Sequence, residues 1–236
     1  MSDFDRNVAA YPGAARTVAV DAGLRAHMIR VYNYMAGGVA LTGLVAYFTN
    51  AYFGQALYGS PMMYVLIFAP LALVFFLSWR IESLSASTAR ALFFIYAALL
   101  GASLSIIFAV YTEASITRVF FISAAAFGGL SLWGYTTQRD LTGMGSFLMM
   151  GLIGIIIASL VNIFLKSSGL DWIISIIGVI VFAGLTAWDT QRIKEMYDAS
   201  DDSNSAGRKA VMGALRLYLD FINLFLMLLR LFGDRR

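Results

Sequence analysis

Long apolar stretches separated by polar links dominate the pattern of this 236-residue chain. A bilayer core is about 30 Å thick, so a helix that crosses it needs about 20 mostly apolar residues. The stretches are continuous rather than alternating, which favours helices over the strands of a membrane β-barrel. Seven segments meet this requirement: Ile29–Asn50, Pro61–Trp79, Ala89–Tyr111, Ser115–Thr137, Met144–Leu165, Leu170–Gln191 and Met212–Phe232.

The links between these segments divide the chain into two parts. Most links are short, which predicts that consecutive helices are antiparallel neighbours. Only the sixth link, Arg192–Val211, is long, and its DASDDSNSAG run is typical of a polar loop. Residues 1–27 are polar and mixed in charge, which argues against a cleaved signal peptide. We therefore predict a polar N-terminal tail over residues 1–27 and a seven-helix transmembrane domain over residues 28–236.

Composition supports an all-α, polytopic membrane protein. Hydrophobic residues make up 60% of the chain, charged residues 13%, and the mean hydropathy is +0.75. Soluble domains are about 45–50% apolar and about 25% charged. The chain has no cysteine and one histidine, His27, which excludes disulfides, thiolate metal sites and a histidine-built metal centre. The net charge of +3 indicates membrane orientation rather than nucleic-acid binding.

Lysine and arginine positions predict a cytoplasmic N-terminus. With this orientation, the inner side carries Arg6, Arg16, Arg25, Arg30, Arg80, Arg90, Arg139, Arg192, Lys194, Arg208 and Lys209. The outer side carries only Arg118, Lys166, Arg235 and Arg236. Seven spans place the basic C-terminus outside, against this rule, whereas a re-entrant last helix would return it inside. Both arrangements remain open at this point.

The last apolar segment, LRLYLDFINLFLMLLRLFG, carries charges inside a predicted span. An ionisable group there costs about 2.5–3.5 kcal/mol on insertion scales, so it usually faces the protein interior or a water-filled cavity. Arg216, Asp220, Asn223, Met227 and Arg230 recur every three or four residues and therefore share one helix face. We expect this polar stripe to face inward.

A second aspartate lies at a similar depth. Asp189 precedes Arg192 by three residues at the end of the sixth span, and Asp220 follows Arg216 by four residues in the seventh. Because these two helices run in opposite directions, the two carboxyl groups could meet near the inner surface. The second span ends on the same side, at Arg80. Two carboxylates in one site cannot both ionise easily and titrate as a unit. The pair could respond to pH, or it could be a salt bridge that fixes helix register.

These segments resemble a known family. FAGLTAWDTQRI and LRLYLDFINLFLMLLRLFG are similar to the signature of the transmembrane Bax-inhibitor-motif family in its bacterial branch, and VNIF and FFLSWR fit it as well. The resemblance implies a seven-helix bundle with the last helix at its centre, in the bacterial inner membrane. It also implies a pH-sensitive calcium leak channel in which Asp189 and Asp220 form the sensor. From the clustered carboxylate oxygens of this pair we expect contact with calcium. In this family an arginine at the position of Arg80 latches onto the pair. Some members carry an acidic residue about three turns earlier, where this chain has Phe68, Ala69 and Pro70.

Three hypotheses compete for the function. The first is a pH-gated cation leak that requires no cofactor, with calcium and membrane lipids as partners. The second, an intramembrane aspartyl protease, requires a GxGD motif, but LYL precedes Asp220 and TAW precedes Asp189, so we predict that the protein is not an enzyme. The third is a non-conducting regulator that binds a membrane-bound ATP-dependent protease or another membrane protein, with the N-terminal tail as a docking arm.

Overall fold

The computed structural model describes the backbone of residues 12–236 and the side chains of residues 22–236. This part of the chain forms helices and contains no β-sheet strand. The helices are α1 Pro12–Leu57, α2 Pro61–Arg80, α3 Ala86–Leu104, α4 Ile107–Val110, α5 Glu113–Thr136, α6 Thr142–Leu165, α7 Ser168–Glu195 and α8 Ser203–Phe232. A 3₁₀ turn, Ile81–Ser83, follows α2. Each predicted span overlaps a separate long helix or, for the third, α3 with α4, and the all-α prediction is confirmed.

Six helical segments are long and apolar enough to cross a membrane. The first of them begins at Pro61, and together they include every long helix except α1. The predicted first span, Ile29–Asn50, lies inside α1, where tyrosine, asparagine, glycine and threonine residues lower the hydropathy. α1 nevertheless packs against α3 and α8 as part of the bundle.

The last helix is the centre of the bundle, as the resemblance implied. α8 packs against α1, α3, α5 and α7, whereas α2 lies mainly on α3, and α6 mainly on α7. In the most apolar window of α8, 72% of the residues are buried, against 17% for α2 and 11% for α6. The outer helices therefore turn large apolar side chains outward, such as Phe147 and Phe164. Such a surface is suited to lipid rather than water.

A buried polar contact fixes α8 against its neighbours. The Tyr218 hydroxyl lies 2.6 Å from the Thr42 hydroxyl on α1, and Thr42 in turn donates to the carbonyl of Ala97 on α3 at 2.9 Å. Gly101 allows α3 to approach this close, because a Cβ there would lie 2.6 Å from the carbonyl oxygen of Thr42. Three helices thus meet around one hydrogen-bonded group.

Two boundaries differ from the sequence predictions. α8 begins at Ser203, so the sixth link is much shorter than predicted, because Asp202 caps the helix by accepting a hydrogen bond from the Ser205 amide at 3.1 Å. Aspartate and serine favour helix starts as well as loops, which explains the error. α1 begins at Pro12, so residues 12–27 of the predicted tail are helical. Residues 1–11 of that tail lie outside the described residues.

The C-terminal residues fold onto the start of α5. Arg118 donates to the Phe232 carbonyl at 3.0 Å and to the Asp234 carboxylate at 3.1 Å. The Thr112 amide donates to the carbonyl of Asp234 at 3.1 Å. α8 is unbroken over its 30 residues, which corresponds to about 45 Å at about 1.5 Å per residue. It therefore crosses the bundle fully instead of re-entering, and its two ends lie at opposite ends of the bundle.

Candidate functional site

Asp189 and Asp220 come together where α7 and α8 pack side by side. α7 brings Asp189 to the bundle interior near its C-terminal end, and α8 brings Asp220 to the same level from the opposite direction. Asp189 is 8% exposed and Asp220 is 4% exposed. Their carboxyl groups are close enough to share a hydrogen bond when one of them carries a proton. The structure thus brings the two sequence-predicted aspartates into one buried site.

Arg216 completes the site. Its Nη1 atom lies 3.3 Å from Asp189 Oδ1, and the arginine side chain is 29% exposed. Arg216 precedes Asp220 by one helical turn, so its charge lies near that carboxyl group as well, although its ion pair is with Asp189. Arg192, one turn after Asp189, lies over the Trp188 ring at 5.4 Å and lines the same cavity. Both arginines therefore place positive charge near Asp189.

The two carboxyl groups differ in their hydrogen-bond partners. Asp189 is paired with Arg216, whereas Asp220 Oδ2 is fully buried and has no hydrogen-bond partner among the described residues. An isolated carboxylate oxygen in an apolar interior is costly unless it binds a proton or a cation. The Asp220 carboxyl group is therefore the member of the pair that is suited to take up either one.

The pair lines a cavity of about 690 Å³ between α6, α7 and α8, which we call the acidic cleft. Its α6 wall is mostly apolar. Its polar lining comes mainly from α7 and α8, with Ser159 from α6. On α8 the lining residues are Arg216, Leu219, Asp220, Asn223 and Met227. This is the face of α8 on which the polar stripe was predicted, and in the structure it faces the acidic cleft.

A second cavity, which we call the link pocket, has a volume of about 520 Å³ and lies where α7 ends and α8 begins. It is lined by Ile81, Glu82, Met196, Asp201, Ser205, Arg208, Lys209, Met212 and Arg216. Arg216 is the residue that lines both the link pocket and the acidic cleft. Its guanidinium, held by Asp189, therefore stands between the two cavities.

The prediction that Arg80 lies beside the aspartate pair is wrong. Arg80 is exposed, and its guanidinium lies over the Trp79 ring at 5.9 Å. Within the described part of the chain, Arg80 forms no ion pair with either aspartate. The reason is the position of α2, which packs mainly on α3 at the edge of the bundle. Arg216 occupies the place beside Asp189 that the resemblance had given to Arg80.

The predicted polar stripe on α8 is divided between two places. Asn223 faces the acidic cleft, and its side-chain amide donates to the Leu219 carbonyl at 2.8 Å. Arg230 lies at the far end of α8, outside the cleft, with its Nη1 atom 3.5 Å from Asp171 Oδ1. Arg230 is also exposed. Arg216 and Asn223 therefore line the same cleft as the aspartate pair, whereas Arg230 belongs to the opposite end of the bundle.

Calcium contact at the pair stays a prediction. Among the described residues, no three histidine, cysteine, aspartate or glutamate side chains converge as a metal site. Bound Ca²⁺ takes six to eight oxygen ligands at about 2.3–2.6 Å. Asp189 and Asp220 offer up to four carboxylate oxygens, one of which, Asp189 Oδ1, is engaged with Arg216.

The chain is similar to known proteins over almost its whole length. The family described as "Inhibitor of apoptosis-promoting Bax1" matches residues 24–236. The inner membrane protein YbhL of Escherichia coli (strain K12) is 49% identical over 231 residues, which cover 96% of this chain and 99% of the relative. A Rickettsia prowazekii protein is 48% identical over 218 residues, covering 92% of each chain. A Caulobacter vibrioides protein is 45% identical over the full length of both chains. The chain is an integral membrane protein and belongs to the Bax inhibitor family.

Proposed function

We propose that this protein is a pH-sensitive leak for cations such as calcium, gated by Asp189 and Asp220, with Arg216 as the latch. One observation carries the proposal. Two buried carboxyl groups and one guanidinium meet at the boundary between the acidic cleft and the link pocket. Ionisable groups inside a membrane protein are costly, and they usually mark an ion or proton pathway.

The closed state depends on the ion pair between Arg216 and Asp189. While Asp189 is ionised, its charge-assisted hydrogen bond holds the guanidinium between the two cavities. Because the two carboxyl groups titrate as a unit, proton uptake by the pair reduces the negative charge that faces Arg216, which weakens the bond and frees Arg216 to move toward the link pocket. Cations then pass the carboxyl groups, with the unpartnered Asp220 oxygen as a stepping point. Flux is therefore expected to rise as the pH falls.

The protein is proposed to lie in a bacterial inner membrane, which is supported by the identity with YbhL. Its N-terminus is proposed to be cytoplasmic. The basic residues at the link end of the bundle, including Arg192, Lys194, Arg208 and Lys209, favour that end as the cytoplasmic one. Because α8 crosses the whole bundle, the C-terminal residues then lie on the outer side. The link pocket would thus open toward the cytoplasm.

The decisive experiment is calcium flux into proteoliposomes measured across pH. The unmodified chain is compared with Asp189→Asn and Asp220→Asn, and with Glu113→Gln as a matched control. Glu113 is an exposed carboxylate at the opposite end of the bundle, and its ion pair with Arg236 is long, at 3.9 Å. We expect the two aspartate variants to lose or shift the pH dependence, and the control to keep it.

Two outcomes would overturn this proposal. One is flux that keeps its size and pH profile in both aspartate variants. The other is no flux at any pH from folded, correctly inserted protein, which would favour the non-conducting regulator. Binding to a membrane-bound protease stays a prediction, and co-purification of that protease with the unmodified chain would test it.

A further inference from the structure

The single histidine of the chain lies in a contact that the aspartate gate does not use. His27 is on α1, just before the predicted first span, and is 7% exposed. Its ring lies 6.0 Å from the Tyr197 ring, between centroids, at an interplanar angle of 43°. The imidazole is also within hydrogen-bonding reach of the Ile193 backbone carbonyl near the end of α7. His27 therefore joins α1 to α7 and to the link that leads into α8.

The contact around this ring is tight. Gly23 lies one turn before His27, and a Cβ at that position would overlap the Tyr197 hydroxyl. α1 and the α7–α8 link therefore approach each other closely beside the histidine. The Nε2 atom of His27 is buried and has no hydrogen-bond partner among the described residues. A neutral imidazole tolerates this position, whereas an imidazolium would bury a charged N–H group without an acceptor.

The charges around His27 also oppose its protonation. Arg30 on α1 and Lys209 on α8 are the neighbouring cations, and Asp201 in the link is the neighbouring acid. Asp201 already accepts a hydrogen bond from Lys209 at 2.6 Å, so its charge is largely compensated. Burial, and next the charge of Arg30, lower the pKa of His27 below its ordinary value of 6.5. Geometry and charge therefore agree that the docked state needs a neutral ring.

We propose that His27 is an acid-sensitive clamp that holds the start of α1 against the end of α7 and the α7–α8 link. The neutral ring keeps the two segments together, and its protonation separates them. This device is distinct from the aspartate pair, because His27 lines neither the acidic cleft nor the link pocket. Because the clamp holds the link that precedes α8, its release would loosen the base of the helix that carries Arg216.

The direction of the pH dependence follows from proton linkage. The separated state binds a proton more readily than the docked state, because the docked His27 has the lower pKa. The clamp therefore contributes its full stabilisation above pH 6.5. That contribution falls as the pH drops through 6.5, and it stops falling once the docked ring itself is protonated. A group with an elevated pKa would show the opposite trend.

Two measurements test the clamp without using ion flux, so failure of the leak proposal would not affect them. The chain has one histidine, so its ring signals in an NMR titration in lipid nanodiscs need no assignment. The chain also has no cysteine, so Ala26→Cys and Ala199→Cys accept spin labels at two exposed sites on opposite sides of the contact. A matched pair, Ala114→Cys and Phe232→Cys, reports on the opposite end of the bundle.

We expect His27 to titrate below pH 6.5. Over the same pH range, the population with a second, longer distance between residues 26 and 199 should increase. The spin labels at residues 26 and 199 should keep the short distance at all pH values in a His27→Phe background, because phenylalanine keeps an aromatic ring at this position but has no nitrogen that titrates. The control pair should not change. A titration at or above 6.5, or a longer distance that grows equally with phenylalanine, would overturn the clamp. If His27→Phe does not fold, the wild-type titration and distances still decide the question.

Discussion

The replacement Arg216→Gln tests whether the ion pair between Arg216 and Asp189 is the latch, rather than Arg80, to which the family resemblance gave that role. Arg216 Nη1 and Asp189 Oδ1 are 3.3 Å apart, and the two side chains are 29% and 11% exposed. At an effective dielectric constant of about 20, unit charges at this separation attract by about 5 kcal/mol before desolvation is subtracted. Removing one partner of a buried ion pair costs about 3–5 kcal/mol, because it leaves the other charge buried and unpaired.

We take the lower end of that range, about 3 kcal/mol, because Arg216 is partly exposed. If this interaction holds the closed state, its loss shifts the closed-to-open equilibrium by roughly a hundredfold, since 1.4 kcal/mol corresponds to about tenfold. Arg216→Gln should therefore raise calcium flux at neutral pH toward the acidic level and flatten the pH profile. Arg80→Gln should change neither, because Arg80 lies on Trp79 at the bundle edge.

The assay is calcium flux in proteoliposomes, with the thermal midpoint of unfolding measured on the same preparations. Combining Arg216→Gln with Asp189→Asn gives a double-mutant cycle, in which we expect a coupling energy of about 1–3 kcal/mol. The reasoning is refuted if Arg216→Gln leaves the pH profile intact, or if the two replacements are additive. A strong effect of Arg80→Gln with none of Arg216→Gln would restore the latch suggested by the sequence.

Three further predictions concern stability. Thr42→Val should lower the free energy of unfolding by about 1–3 kcal/mol in a denaturant titration, because it leaves the buried Tyr218 hydroxyl without this partner; a smaller loss than that of a surface Thr→Val control would contradict it. Gly101→Ala should destabilise the bundle by about 1–3 kcal/mol, because the Cβ atom of the new alanine would lie 2.6 Å from the Thr42 carbonyl oxygen. An unchanged melting temperature would contradict this, because it would show that α1 and α3 can separate at little cost. Hydrogen bonds from Ser205 lower the pKa of Asp202, so the cap stabilises the protein while Asp202 is ionised. Asp202→Ala should therefore reduce the melting temperature above pH 3.8 and have progressively less effect below that pH. An effect that does not depend on pH would contradict the capping role.

Much of the fold could be predicted from the sequence because hydropathy along a membrane-spanning helix is a local property. A run of about 20 apolar residues can hardly satisfy its backbone in lipid except as a helix. The seven predicted spans therefore fall in helices. The depths of Asp189 and Asp220 were equally predictable, because the rise per residue is fixed and the two helices are antiparallel. Their meeting also required that α7 and α8 be neighbours. The sequence left this undecided because the link between them was predicted to be long, whereas the structure shortens it to residues 196–202.

Helix boundaries were less predictable where a residue has two local uses. Asp202 and the serines after it are typical of a loop and also of a helix N-terminus, and the structure uses them as a cap. The polar residues before Ile29 indicated a tail, yet α1 begins at Pro12. His27 looked unremarkable as a single polar residue in that segment, and its contact with Tyr197 depends on a link far along the chain.

By itself, then, the sequence determined where the long helices lie along the chain, that consecutive helices run in opposite directions, and the position of each charged group along its helix. Only the tertiary structure decided which charges at one depth touch each other. Arg80 and Arg216 both end near the level of the aspartates, but α2 lies at the edge of the bundle and α8 at its centre. The physical reason is that depth follows from counting residues along one helix. The direction in which a side chain points, and the helix that it meets, follow from how all the helices pack together.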